Sequence, residues 1–184
     1  MKTVYVTLCL LALLSADLHA AAGEIVVDAV SSELVAGDYY IDARINFNLD
    51  EDLREALDHG VELDVRIIIR VREQRRWLRD RLYREARIKY RLDYLPLSDV
   101  YIVTTVSKSE QRQFDTLENA LKYMGKLDRY LLLDAAELAH GSRLRAALKG
   151  VINVTNLPPP MKPVAFLVNK WQAESGWHRW TLEQ

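Results

Sequence analysis

The sequence predicts a mainly β protein: an antiparallel two-sheet sandwich, about the size of an immunoglobulin domain, with two short helices. The first observation behind this is the run from Val61 to Val71. Apolar side chains take every odd position there (Val61, Leu63, Val65, Ile67, Ile69, Val71), with Glu62, Asp64, Arg66, Arg70 and Arg72 between them. The second is a run with the opposite phase. Leu82, Ala86, Ile88, Tyr90, Leu92 and Tyr94 alternate with Tyr83, Glu85, Arg87, Lys89, Arg91 and Asp93. A period of two marks strands with one dry face and one wet face, so residues 61–94 read as a long hairpin. The third is negative: the chain shows neither βα alternation nor a fixed-period repeat. A β-barrel is the alternative closure of the same strands.

The amino terminus is set apart from this pattern. Lys2 precedes an apolar run from Val4 to Leu14, and Ala20-Ala21-Ala22 offers a small-residue cleavage site. The run is shorter than the ~20 residues that span a bilayer, so residues 1–22 read as a cleaved secretory signal. The single cysteine, Cys9, lies within that run. The expected mature chain, residues 23–184, is one cysteine-free domain of about 162 residues that is held by packing alone.

Each element follows from local pattern. Ile25, Val27 and Ala29 make a first strand, and Gly37-Asp38 a turn. Tyr39, Ile41, Ala43, Ile45, Phe47 and Leu49 alternate along a second strand. Asn48 and Glu51 fit a capping box for a helix carrying Leu53, Ala56 and Leu57, which Gly60 ends with His59 beside its last carbonyls. Residues Glu73–Glu85, at the tip of the central hairpin, are good helix formers and admit a helical turn. From Val100 to Val106 both faces are apolar, which predicts a strand covered on both sides. Asp115 and Glu118 suggest a second capping box, before Leu117, Ala120, Leu121 and Met124 at helical spacing and Gly125. Short strands are expected at Tyr130–Leu133 and from Leu144 through Ile152. The Pro158-Pro159-Pro160 run is an extended crossover, and a final strand carries Trp177 and Trp180. The odd spacing of those two tryptophans puts them on opposite faces, which argues against a flat aromatic platform. The count is about eight strands.

Charge supplies the functional signal. The whole chain carries a formal net charge of -1, yet eleven Lys and Arg residues lie between Arg66 and Arg91 against Glu73, Asp80 and Glu85. Arg66, Arg70, Arg72, Arg87, Lys89 and Arg91 fall on the wet face of the hairpin, and Arg75, Arg76, Trp77 and Arg79 at its tip. Guanidinium groups engage phosphates bidentately and an indole sits well at headgroup level, so these ten residues are the candidate site for an anionic surface or partner. The plainer reading is a solvated sheet face whose charges pair with acidic neighbours. Nucleic acid fits the charge, but export removes the opportunity.

Catalytic signatures are missing. The mature chain has no cysteine, no H-E-x-x-H or G-x-S-x-G and no glycine-rich phosphate loop. His59 and His140 each precede a glycine, a capping arrangement, and with His178 they lack metal-ligand spacing. No cofactor or metal is expected.

The Arg75-Arg76-Trp77 segment, the Leu157-Pro158-Pro159-Pro160-Met161 run and the ending with Trp171, Ser175, Trp177 and Trp180 resemble one family. It is the bacterial exported family known as domain of unknown function 4390, also labelled proline-rich exported protein. The resemblance implies a periplasmic protein with no assigned activity, encoded near a membrane sensor kinase, and it carries no functional residue. The expectation is a non-enzymatic accessory protein at the cell envelope. It would bind an anionic envelope surface or the extracytoplasmic part of a membrane protein, and have no transmembrane helix after cleavage. The alternative is an envelope hydrolase or ligand-binding enzyme with a carboxylate pair in a cleft between the sheets, one carboxyl having a raised pKa.

Overall fold

The structure, a computed structural model, describes residues 24–75, 77–134, 143–154 and 172–182. The expectations for the leader, Arg76, His140, the proline run and Trp171 fall outside these residues. Among the described residues no helix is long and apolar enough to cross a membrane.

The chain begins with a hairpin of β1 (Ile25–Val35) and β2 (Asp38–Phe47). Its two-residue loop has Ala36 at φ 52° and Gly37 at φ 95°, the left-handed pair that matches strand twist. Helix α1 (Glu51–Asp58) follows. Its cap is Asp50 rather than Asn48, with the carboxylate accepting from the Leu53 N–H at 2.8 Å. The helix ends in a Schellman turn, in which Val61 N–H donates to Ala56 O and Gly60 N–H to Leu57 O, both at 2.9 Å. Gly60 takes φ 78° there, which only glycine adopts freely.

Then come β3 (Leu63–Glu73), β4 (Arg81–Leu95), β5 (Val100–Thr105) and β6 (Glu110–Phe114). Helix α2 (Leu117–Met124) is capped by Thr116, not Asp115, whose hydroxyl accepts from Asn119 N–H at 3.2 Å. Strands β7 (Lys126–Leu133), β8 (Leu144–Val154), β9 (Gln172–Glu174) and β10 (His178–Leu182) complete the described chain. Ten strands therefore replace the expected eight among the described residues. The hairpin tip has no helical turn at its described residues.

Two antiparallel sheets form, one ordered β1-β2-β7 and the other β10-β8-β3-β4-β5-β6, with β9 beside β8. Neither closes on itself, so the sandwich prevails over the barrel. Leu63, Val65, Ile67, Ile69 and Val71 are fully or almost fully buried and face Ile41, Ile45, Phe47 and Leu133 across a single core. Gly150 permits the close approach of the sheets, since a Cβ there would meet Ile25 Cγ2 and Phe47 Cε1 at 2.9 Å. Strand β5 departs from expectation. Val103 and Thr105 are buried, whereas Val100, Ile102 and Thr104 stay half-exposed on the outer face, so the strand is covered on one side only.

Candidate functional site

The central strand β3 lies between β4 and β8, and this places its outward side chains in the middle of a wide face. Arg66 stands opposite Lys89, Arg70 opposite Glu85, Ile68 between Arg87 and Lys149, and Arg72 opposite Arg145. Six of the sequence-predicted residues (Arg66, Arg70, Arg72, Arg87, Lys89, Arg91) thus share one face. Arg145, Lys149 and Arg179 join it, brought in by β8 and β10. The alternation Leu144, Ala146, Leu148 marked Arg145 as outward, but nothing in the sequence showed that β8 neighbours β3.

Much of this face is internally paired. Glu85, whose side chain is 16% exposed, accepts from Arg70 Nε and Arg87 Nε, each at 2.6 Å. The Arg70 hydrogen bond is the main reason the Glu85 carboxyl is held below its usual pKa, with burial opposing it and Arg87 adding to it. The Trp177 ring has the Arg70 guanidinium 4.7 Å from its centroid and Lys149 Nζ 5.3 Å away, and Lys149 also pairs with Glu174 at 2.8 Å. Trp180 packs toward the core instead, so the two tryptophans lie on opposite faces. Arg91 meets Glu62 at 3.5 Å and Arg75 meets Glu73 at 3.6 Å. The Asn153 carboxamide oxygen accepts from the Arg66 guanidinium.

What remains uncompensated lies mostly toward the tip. Arg72, Arg79, Arg81 and Lys89 make no ion pair among the described residues, and Trp77 and Leu78 are 90% and 68% exposed. A bulge between Val71 and Arg72 turns Leu82 out beside Arg72. Its alternation predicts Leu82 on the dry face, yet it is 47% exposed. The opposite end of the face is acidic, with Glu62, Asp64 and Asp93. The hairpin is therefore polarised along its length, basic and apolar at the tip and acidic at the base.

Burial first, and then the Glu62 carboxylate, push the Asp93 carboxyl up to about 6, with Arg91 opposing. Because the folded pKa lies above the unfolded one, the native state binds the proton more tightly. The resulting stability is complete below about pH 3.8 and is lost as pH rises through about 6. Asp93→Asn should therefore raise the melting temperature at pH 8 by a few degrees, on the order of 1 kcal/mol after solvent screening. Near pH 4 it should change little, and equal effects at both values in calorimetry would contradict this assignment.

Among the described residues no group of three or more His, Cys, Asp or Glu is placed to hold a metal ion. Among the described residues, buried side chains of both sheets share one core cluster. One open groove of about 760 Å³ lies beside β2 and α2, and its carboxylates are Asp28 and Glu118, far in sequence from Asp93. No curated protein and no solved structure matches the chain. The family described as Domain of unknown function (DUF4390) matches residues 22–181, and the chain belongs to that family.

Proposed function

We propose that this is an exported, non-enzymatic binding protein that docks tip-first on an anionic membrane surface at the cell envelope. The observation that carries the reading is the solvent position of Trp77 and Leu78, flanked by Arg75, Arg79 and Arg81 in the loop that joins β3 to β4 at one end of the larger sheet. Exposed aromatic and aliphatic side chains ringed by guanidinium groups match the interfacial zone of a bilayer, where indole and arginine both find partners. The acidic base of the hairpin supports the same orientation, since an anionic surface repels that end. Export rests on residues 1–22 of the sequence.

Flotation with vesicles containing phosphatidylglycerol tests the reading. The protein should float with them and stay unbound to phosphatidylcholine vesicles. Equal partition to both, or to neither, would refute it.

Glu85 supplies a sharper expectation. Glu85→Gln leaves Arg70 and Arg87 without their shared carboxylate and adds one positive charge to the face. Binding to anionic vesicles should strengthen about threefold, less than the full contribution of a charge at the surface because the site is set back from the tip. Thermal stability should fall slightly. Weaker binding in this variant would argue against an electrostatic mechanism.

A further inference from the structure

The groove beside β2 and α2 lies outside the basic face, and three features of it go unexplained by the fold. Arg44 and Lys126 stand directly opposite each other on adjacent strands, both exposed. A cross-strand pair of like charges is destabilising unless something anionic lies between them. Lys126 is partly met by Asp128 at 2.7 Å, but Arg44 has no ion pair among the described residues. Lys122 and Arg54 add two more cations to the walls, and Lys122 is also unpaired there. Arg54 donates from Nε to Leu49 O at 3.1 Å, which leaves its terminal nitrogens available.

The second feature is a bulge. The register of β1 against β2 slips between Val27 and Ala29, so Asp28 drops out of the ladder and lines the groove. Bulges of this kind re-aim a side chain and are enriched beside binding sites. The third is the floor, where half-exposed Leu117 provides apolar surface between the charged walls, with Phe47 and Leu121 almost wholly buried beneath. A volume of about 760 Å³ falls in the range of small-ligand clefts.

We propose that this groove binds an amphipathic organic anion, with a carboxylate or phosphate head between Arg44 and Lys122 and an apolar body over Leu117. Four cations against two carboxylates set the sign of the ligand. The apolar surface at Leu117 favours an organic anion over a bare inorganic ion. Asp28 favours a head that also carries a hydroxyl or ammonium donor.

The test is a ¹H–¹⁵N NMR titration of the protein with octyl phosphate and octanoate below micelle formation, with octylammonium and inorganic phosphate as comparisons. Amide shifts should appear at Arg44, Asn46, Lys122 and Gly125, with a Kd of about 1 mM or tighter. Arg44→Gln and Lys122→Gln should each weaken binding several-fold, with spectra otherwise superimposable because both side chains are exposed. Vesicle flotation should be unchanged in both variants, which separates this site from the hairpin tip. The proposal is overturned if the anions shift no groove amide or the double variant binds as well as the wild type. It is equally overturned if octylammonium matches octyl phosphate, or if inorganic phosphate binds as tightly.

Discussion

Reversing Arg75, Arg79 and Arg81 to glutamate should weaken binding to anionic vesicles by at least a hundredfold at ~0.1 M salt. Each arginine close to an anionic surface contributes about 1 kcal/mol, and reversal replaces that attraction with repulsion. Arg79 and Arg81 are exposed and make no ion pair among the described residues, while Arg75 has only a 3.6 Å contact with Glu73. The variant should therefore fold and melt like the wild type. Trp77→Ser tests the apolar half of the same loop. The ring contacts little in the free protein, so its loss should leave stability intact and remove about 2 kcal/mol of burial in the bilayer interface, or roughly thirtyfold in affinity. Co-sedimentation measures both. If the charge reversal leaves binding within a factor of two, the tip is not the docking element.

Gly125→Ala should be strongly destabilising for so small a substitution. A Cβ at this position would stand 2.0 Å from the Ile45 carbonyl oxygen, and backbone cannot move aside as a flexible side chain does. Gly125 sits at φ -79° in the ordinary right-handed region, so close approach, not left-handed geometry, requires the glycine. Its carbonyl also accepts from Ile45 N–H at 2.8 Å, and this joins the end of α2 to β2. Forcing the two apart breaks that bond and unseats Met124 and Leu121, which are buried behind it. The loss should be about 3 kcal/mol or more, a fall of roughly 10 °C in melting temperature. Gly176→Ala, with nothing within 4 Å of the added carbon, is the control and should be nearly silent. A mild effect at Gly125 would mean that α2 does not pack against β2 as described.

The long strands were legible because one face of each is buried, which writes a period of two into the sequence. The helices were legible from apolar spacing and stop residues, although each cap fell one or two residues later than expected. Strand β6 escaped notice for a physical reason. Gln111, Arg112 and Gln113 occupy an edge with little apolar contact, so burial leaves no alternation there. The first half of β7 is similarly polar, with Lys126, Asp128 and Arg129. Neighbours beyond the central hairpin were out of reach, because pairing β3 with β8 joins residues some eighty positions apart and no local pattern encodes it. For that reason the contributions of Arg145, Lys149 and Arg179 to the basic face could not be read. Glu85 as the shared partner of Arg70 and Arg87 depends on the exact register of the hairpin, which alternation alone leaves open, and the groove depends on a bulge, a helix end and a cross-strand pair meeting in space.

The most direct measurement is the emission of Trp77 itself, taken as the difference between the wild type and Trp77→Phe. Vesicles containing phosphatidylglycerol should shift this component to shorter wavelength, and lipids brominated high on the acyl chain should quench it. High salt added before mixing should prevent both changes. An emission from Trp77 that stays that of a water-exposed indole on anionic vesicles at low salt would contradict membrane docking through the hairpin tip.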